Sequence, residues 1–219
     1  MSRELSDPVD GECSDENGGA LVELDRTPRR RERIRSVLAR RQADLAVVLE
    51  DVHDPHNASA VLRSCDGVGV LDVHLVYVNE MPPKRSFART TSASAAKWIR
   101  LHYHDSIEEC FGVLRAAGMR IYATALGKES VDLYDLNLTP PSALVFGNEM
   151  RGVSERAMDL ADATVFIPMQ GMVESLNISV ACAVSLYEAM RQRRVAGAYD
   201  HPSLSPSTIE ALEKEWSRK

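Results

Sequence analysis

The sequence predicts an α/β domain built on a mostly parallel sheet, with helical extensions at both ends. Two observations carry this expectation. Short β-prone apolar runs alternate with stretches of helical periodicity along most of the chain, which is how strands joined by crossover helices read in sequence. The chain also has 219 residues, 44% of them hydrophobic and 26% charged. That is enough to bury one sizeable core and too little for two full domains.

Taken in order, Ile34, Val37 and Leu38 fall at i, i+3 and i+4 within residues 26–41, a helix with one narrow docking stripe. Leu45–Glu50 is a β-prone run, Asn57–Val68 has helical spacing through Ala60, Val61 and Cys65, and Val73–Val78 is a second strand. Residues 79–97 gather Pro82, Pro83, Lys84, Arg85, Arg89 and Lys97 among serines and threonines, the composition of a long, basic, mobile loop. Strands are expected at 98–103, Arg120–Thr124, Ser142–Phe146 and Thr164–Ile167, with helices at Ser106–Ala116 and Ser154–Leu160. A long helix follows over Glu174–Val195, and Thr208–Lys219, behind Pro202 and Pro206, makes a last short one. The chain thus divides into an acidic tail (1–25), a basic helical segment (26–43), a main domain (44–196) and a C-terminal helical extension (197–219).

The net charge of −6 averages over unlike parts. Residues 1–25 hold eight carboxylates against Arg3, a charge of −7, together with Pro8, Gly11, Gly18 and Gly19; this is the composition of a disordered tail. The remainder sums to +1, and residues 26–41 carry eight arginines against Glu32 alone. The planar guanidinium fork suits phosphate, so bulk acidity does not exclude a nucleic-acid partner. No run approaches the roughly 18 apolar residues that span a bilayer, and the first thirty residues hold no apolar signal segment, so a cytoplasmic protein is expected. Cysteines at 13, 65, 110 and 182 have no CxxC spacing. His53 and His56, beside Asp54, form a compact histidine pair that lacks further ligands; no metal is expected.

Three segments invite a chemical reading beside a structural one. In Asp54–Arg63, after an apolar strand, Asn57 sits where a helix is capped and Arg63 lies more than a turn further on; cap and surface residue, or a site, both fit. In Leu144–Ser154 a buried-type strand runs into Gly147, Asn148 and Glu149, and Ser154 precedes a short helix. Loops at the carboxyl ends of strands bind ligands in open α/β sheets, while Gly147 and Gly152 also suit a plain tight connection. In Ile167–Ala181, Ser175 and Asn177 flank Leu176 at the start of an apolar helix, where spare backbone N–H groups meet ligands. Capping alone needs one such residue. No G-x-G-x-x-G, Walker-type or G-x-S-x-G motif competes.

In this order, the three segments resemble the signature motifs of the SPOUT superfamily of S-adenosylmethionine-dependent RNA methyltransferases, and within it the TrmH group that methylates a tRNA guanosine at the ribose 2′-hydroxyl of position 18 in the D-loop. The likeness rests on HNASAVLRSCDGVGV at 56–70, TSASAAKW at 91–98, FGNEMRGVSERAMDLAD at 146–162 and IPMQGMVESLNISVACAVSLYEAMRQRR at 167–194. It runs from about Arg29 to the end of the chain and leaves out the acidic tail.

The resemblance implies a deep C-terminal trefoil knot in the sheet, a cofactor pocket made by that knot, and a homodimer whose active site is completed at the subunit interface. It implies S-adenosyl-L-methionine held by Thr124, Gly147, Ile167, Met169 and Leu176, and catalytic roles for Asn57, Arg63, Glu149, Ser175 and Asn177. With tRNA as partner, the basic residues expected to meet it are Arg30, Arg33, Arg41, Arg85, Arg89, Lys97, Arg191 and Arg193. Glu174 departs from the family, whose members commonly carry Gln there. Ribosomal RNA or the tRNA wobble ribose are alternative targets within the superfamily, and a non-catalytic RNA-binding protein of the same fold is the alternative outside enzymology.

Overall fold

A computed structural model describes residues 28–78, 95–127 and 129–219. The acidic tail, Arg85 and Arg89, and most of the expected basic loop lie outside the described residues. The elements are α1 (Pro28–Leu38), β1 (Gln42–Glu50), α2 (Pro55–Val68), β2 (Val70–Val76), β3 (Arg100–His104), α3 (Ile107–Ala116), β4 (Arg120–Thr124), β5 (Val131–Asp132), β6 (Ser142–Phe146), α4 (Glu155–Leu160), β7 (Ala163–Phe166), α5 (Ile178–Val195) and α6 (Pro206–Ser217). Short 3-10 turns at Ala96–Trp98 and Leu133–Asp135 complete them.

The seven strands form one sheet in the order β3-β2-β1-β6-β4-β7-β5, and every pairing among them is parallel. Alternation along each strand feeds two cores. Leu45, Val47 and Leu49 of β1, with Leu144 and Phe146 of β6, pack against Val61, Leu62 and Cys65 of α2 and Cys182, Leu186 and Ala189 of α5. Ala46, Val48, Ala143 and Val145 point the other way, onto Phe111 and Leu114 of α3 and Ala157 of α4. Both faces of β1 and β6 are therefore covered, which is why these strands read as continuous apolar runs.

The two terminal helices pack together rather than trailing from the domain. Ile34 and Leu38 of α1 meet Leu212 and Trp216 of α6, with Leu71 and Leu204. Arg35 Nε reaches Glu213 Oε1 and Oε2 at 2.8 and 2.9 Å. The expected apolar stripe of α1 is the face that docks, with Val37 packed at its border.

Several expectations are corrected. Asp54, not Asn57, caps α2: its side chain accepts from His56 N at 2.8 Å, and Pro55 fills the first helical turn, where a missing N–H costs nothing. The last long helix begins at Ile178 rather than Glu174, because Asn177 takes the cap and its side chain accepts from Ser179 N. β5, with two residues, was not expected. Arg41 and Arg193, both expected to meet RNA, are wholly buried. Arg41 Nη2 donates to Asp66 Oδ1 at 2.5 Å and Nη1 to Val70 O at 2.9 Å, with its guanidinium 5.2 Å above the Trp216 ring. Arg193 donates to Asp44 Oδ1 at 2.5 Å, Gln42 Oε1, and the carbonyls of Asp44, Leu138 and Pro140. Both are structural pins: an isolated buried cation is prohibitively costly, and these carry the partners that make burial tolerable.

Candidate active site

A cavity of about 560 Å³ opens at the carboxyl ends of β4, β6 and β7, the end where parallel sheets present their loops to ligands. Thr124, Gly147, Ile167, Met169 and Leu176, the residues expected around a cofactor, all line it. Glu149, Ser175 and Asn177 line it too, and so does Glu174. The sequence departure at 174 thus places a carboxylate on the cavity wall.

The loop after β6 owes its shape to a steric constraint. Asn148 N donates to Gly152 O at 3.0 Å and Gly152 N to Asn148 O at 2.7 Å, closing a tight turn. A Cβ on Gly147 would stand 2.1 Å from the Gly152 carbonyl carbon and oxygen, so no larger residue fits there without opening the turn. Gly152 itself has φ +71°. The Asn148 side chain donates to Asp51 O at 2.9 Å and accepts from Met150 N at 2.9 Å, fastening the turn to the end of β1.

Two acidic residues that sequence reasoning missed build this anchor. Asp51, buried with φ +50°, accepts from Val78 N through Oδ1 at 3.0 Å and faces Arg151 at 3.5 Å through Oδ2. Glu50, also buried, accepts from Ser154 N at 2.8 Å and Ser154 Oγ at 2.6 Å. Ser154 Oγ in turn caps α4 by accepting from Ala157 N. Glu50 ends β1 and Asp51 follows it directly after the apolar run of residues 45–49, and a pair of carboxylates closing such a run was the available signal.

Three of the five expected catalytic side chains come into direct contact. Asn57, in the first turn of α2, donates from Nδ2 to Glu149 Oε1 at 2.8 Å. Its Oδ1 accepts from Asn177 Nδ2 at 3.1 Å. Asn177 Oδ1, already used for capping α5, also accepts from Ser179 Oγ at 2.6 Å. The three sequence segments therefore converge at the cavity mouth, joined by exposed polar side chains. Ser175 lines the cavity without joining that network among the described residues.

Arg63 is placed differently. It is exposed, is not among the cavity-lining residues, and has no partner among the described residues. Six positions along a helix set it roughly a third of a turn away from the direction of Asn57. Of the basic residues expected at RNA, Arg33 and Lys97 are exposed. Arg30 is half-buried with its guanidinium 5.8 Å from the Trp98 ring centre. Arg191 is exposed but clasped by Glu188, with two contacts of 2.8 Å that hold the Glu188 carboxyl below its usual range.

Comparison with known proteins bears on this arrangement. Residues 44–187 match the SpoU rRNA Methylase family. The chain is 48% identical over 195 residues to the tRNA (guanosine(18)-2′-O)-methyltransferase of Thermus thermophilus, covering 89% of this chain and 99% of that protein. The crystal structure of the A. aeolicus TrmH/SpoU tRNA modifying enzyme superposes with a TM-score of 0.76 at 38% identity, covering 87% of this chain and 95% of the other. That of the SpoU methyltransferase AviRb from Streptomyces viridochromogenes in complex with AdoMet superposes at 0.60 and 27% identity, covering 73% of this chain and 62% of the other.

Proposed function

Because the chain belongs to the SpoU rRNA Methylase family, we propose that its cavity and the Asn57–Glu149–Asn177 network together form the active site of a tRNA 2′-O-methyltransferase. The protein is an S-adenosylmethionine-dependent tRNA (guanosine-18-2′-O)-methyltransferase. The observation that carries the site assignment is the convergence of Asn57 and Asn177, 120 residues apart, with Glu149 at the mouth of one cavity.

The cavity suits the methyl donor by size and by wall chemistry. Its volume lies within the range of about 300–1,000 Å³ typical of small-molecule sites, and Leu126, Ile167, Met169 and Leu176 give it an apolar wall beside polar Thr124 and Asn148. The carboxylate of Glu174 suits a ligand bearing positive charge. When bound, S-adenosylmethionine supplies a methyl group already activated by its sulfonium, which leaves as a neutral thioether. The residues then have two tasks, alignment and charge stabilisation.

Asn57 and Asn177 orient the target ribose, and Glu149 fixes Asn57 in its rotamer. Ser175 completes the wall against the donor. Arg63 holds the adjacent phosphate and stabilises the developing 2′-alkoxide as the hydroxyl proton leaves to water at the open cavity mouth; a guanidinium, which offers donors and no acceptor, serves poorly as the base itself. Because Arg63 turns away from the cavity of its own chain, the active site is completed in a homodimer, by Arg63 of a second copy. The chain between β7 and α5 forms a trefoil knot in this reading, and its residues 167–177 wall the donor pocket. The exposed arginines of α1, with Arg85, Arg89, Lys97 and Arg191, carry the tRNA backbone, and the cytoplasm is the setting. No described helix is long and apolar enough to cross a membrane.

The test is to incubate purified full-length protein with labelled S-adenosylmethionine and unmodified tRNA transcript, then map the methylated nucleotide. Label on the ribose of guanosine 18 is expected. Transfer to a wobble ribose or only to ribosomal RNA overturns the substrate, and absence of transfer to any RNA overturns the enzymatic reading.

A further inference from the structure

Outside the cavity, the described residues hold one further concentration of chemistry-bearing side chains, on the sheet face covered by α3. Asp72 and His74 of β2 and His102 and His104 of β3 point to this face. Their rings form a row: His102 stacks on His74 at 4.7 Å between centroids and His74 on His104 at 5.2 Å. The outer end is accounted for, since His102 Nε2 meets Asp72 Oδ1 at 2.6 Å and Arg100 grips both Asp72 oxygens. The inner end is not. His74 Nδ1 lies 2.9 Å from His104 Nε2, while His104 Nδ1 is buried without a hydrogen-bond partner. The nearest carboxylate oxygen, Glu109 Oε1, stands 3.7 Å from that nitrogen. Cys110 of α3, a free thiol with no exposed surface, completes the group.

From this geometry we infer that His74, His104 and Cys110 form a binding site for a zinc-class divalent cation that clamps the edge strand β3 to α3. One donor atom from each of the three residues falls within 4.8 Å of the others, and all three side chains are buried. Two imidazoles and a thiolate are the ligand set of zinc-class ions. Tetrahedral coordination with zinc–nitrogen bonds of about 2.0–2.1 Å sets the two nitrogens roughly 3.3 Å apart. The ring nitrogens at 2.9 Å need to part by only a few tenths of an ångström.

The cation takes the place of the proton shared between the rings, coordinated by His74 Nδ1 and His104 Nε2. His104 then carries its proton on Nδ1, facing Glu109, and the unpartnered nitrogen acquires the carboxylate contact typical of metal-bound histidines. Without a cation, burial pushes the Cys110 thiol up to about 12; a divalent charge beside the sulfur reverses that preference and displaces the thiol proton. Water fills the fourth position. The site is independent of methyl transfer: its three ligands lie outside the lining of the donor cavity.

The experiment titrates Co²⁺, and separately Zn²⁺, into the purified full-length chain after chelator stripping, under a phosphine reductant. One equivalent of Co²⁺ per chain is expected, with a near-ultraviolet thiolate-to-cobalt charge-transfer band that Zn²⁺ abolishes by displacement. Cys110→Ser and Cys110→Ala lose the band, Cys65→Ala keeps it, and Glu109→Gln weakens binding by about tenfold or more. Absence of the band from the wild-type chain overturns the inference whatever the variants do. Its persistence in either Cys110 variant, checked as folded by circular dichroism, also overturns it.

Discussion

Replacing Arg193 with alanine deletes a fully buried cation together with five hydrogen bonds, to Gln42 Oε1, Asp44 Oδ1 and the carbonyls of Asp44, Leu138 and Pro140. Removing one member of a buried ion pair costs about 3–5 kcal/mol, because its partner is left uncompensated. The Asp44 side chain is 39% exposed, so water recovers part of the loss and the lower end, about 3 kcal/mol, applies. For a chain of this length each kcal/mol moves Tm by roughly 2–4 °C. A fall of about 6–12 °C is therefore expected at fixed protein concentration, followed by circular dichroism. Below the lowered Tm, tRNA affinity measured over a salt series should keep its wild-type slope, since a buried guanidinium neutralises no phosphate. Arg33→Ala is the converse: unchanged Tm, with the logarithmic salt slope shallower by about 0.7–0.9. An Arg193→Ala protein with wild-type Tm and a shallower slope would refute the structural assignment.

Three further outcomes follow from the site. Gly147→Ala drives a methyl group into the Gly152 backbone, which costs at least about 1–3 kcal/mol; urea unfolding should register it and calorimetry should find weakened S-adenosylmethionine binding, whereas wild-type values in both would contradict the steric account. Asn57→Ala breaks the contacts to Glu149 and Asn177 and should lower kcat about tenfold, the equivalent of about 1.4 kcal/mol, with Tm unaltered; full turnover in a single-turnover assay would remove Asn57 from the mechanism. Arg63→Lys should cripple turnover while leaving tRNA affinity intact, and mixing Arg63→Ala with the impaired Asn57→Ala chains should raise activity above that of either variant alone through heterodimers. Near-normal turnover of the lysine variant sinks the arginine's role, and failed complementation sinks its donation across chains.

How much of this was legible in the sequence depends on the range of the interaction concerned. Ser142–Phe146 was placed to the residue, because a strand buried on both faces reads as an uninterrupted apolar run. All five cofactor positions, which came from the family resemblance and not from periodicity, line one cavity at the carboxyl ends of β4, β6 and β7. Arg41 and Arg193 were misread because charge alone does not reveal depth: their partners Asp66 and Asp44 lie 25 and 149 residues away. The start of α5 was placed four residues early, since apolar residues recur from Val173 and periodicity cannot see that Asn177 turns its side-chain carbonyl onto Ser179. A strand as short as β5 has no period to detect. The histidine row escaped for a related reason: His74 and His104 are thirty residues apart, and only the parallel register of β2 on β3 brings them together.

The neighbour relations of β1 also bear on how the protein comes to be folded. On one side β1 pairs with β2, which follows it after one helix; on the other, Val47 sits against Leu144 and Leu49 against Phe146. During synthesis that second edge emerges from the ribosome unpaired and stays so until residues 142–146 have followed. A strand whose residues 45–50 are all buried in the finished fold thus spends much of translation as an open template, and pairing of such sequence-distant strands is slow. Exposed edges of this kind invite association between nascent chains. Occupancy of β1 by β6 is accordingly the event that ends the vulnerable period, and weakening that pairing should lower soluble yield before it affects the catalytic rate of the molecules that do fold.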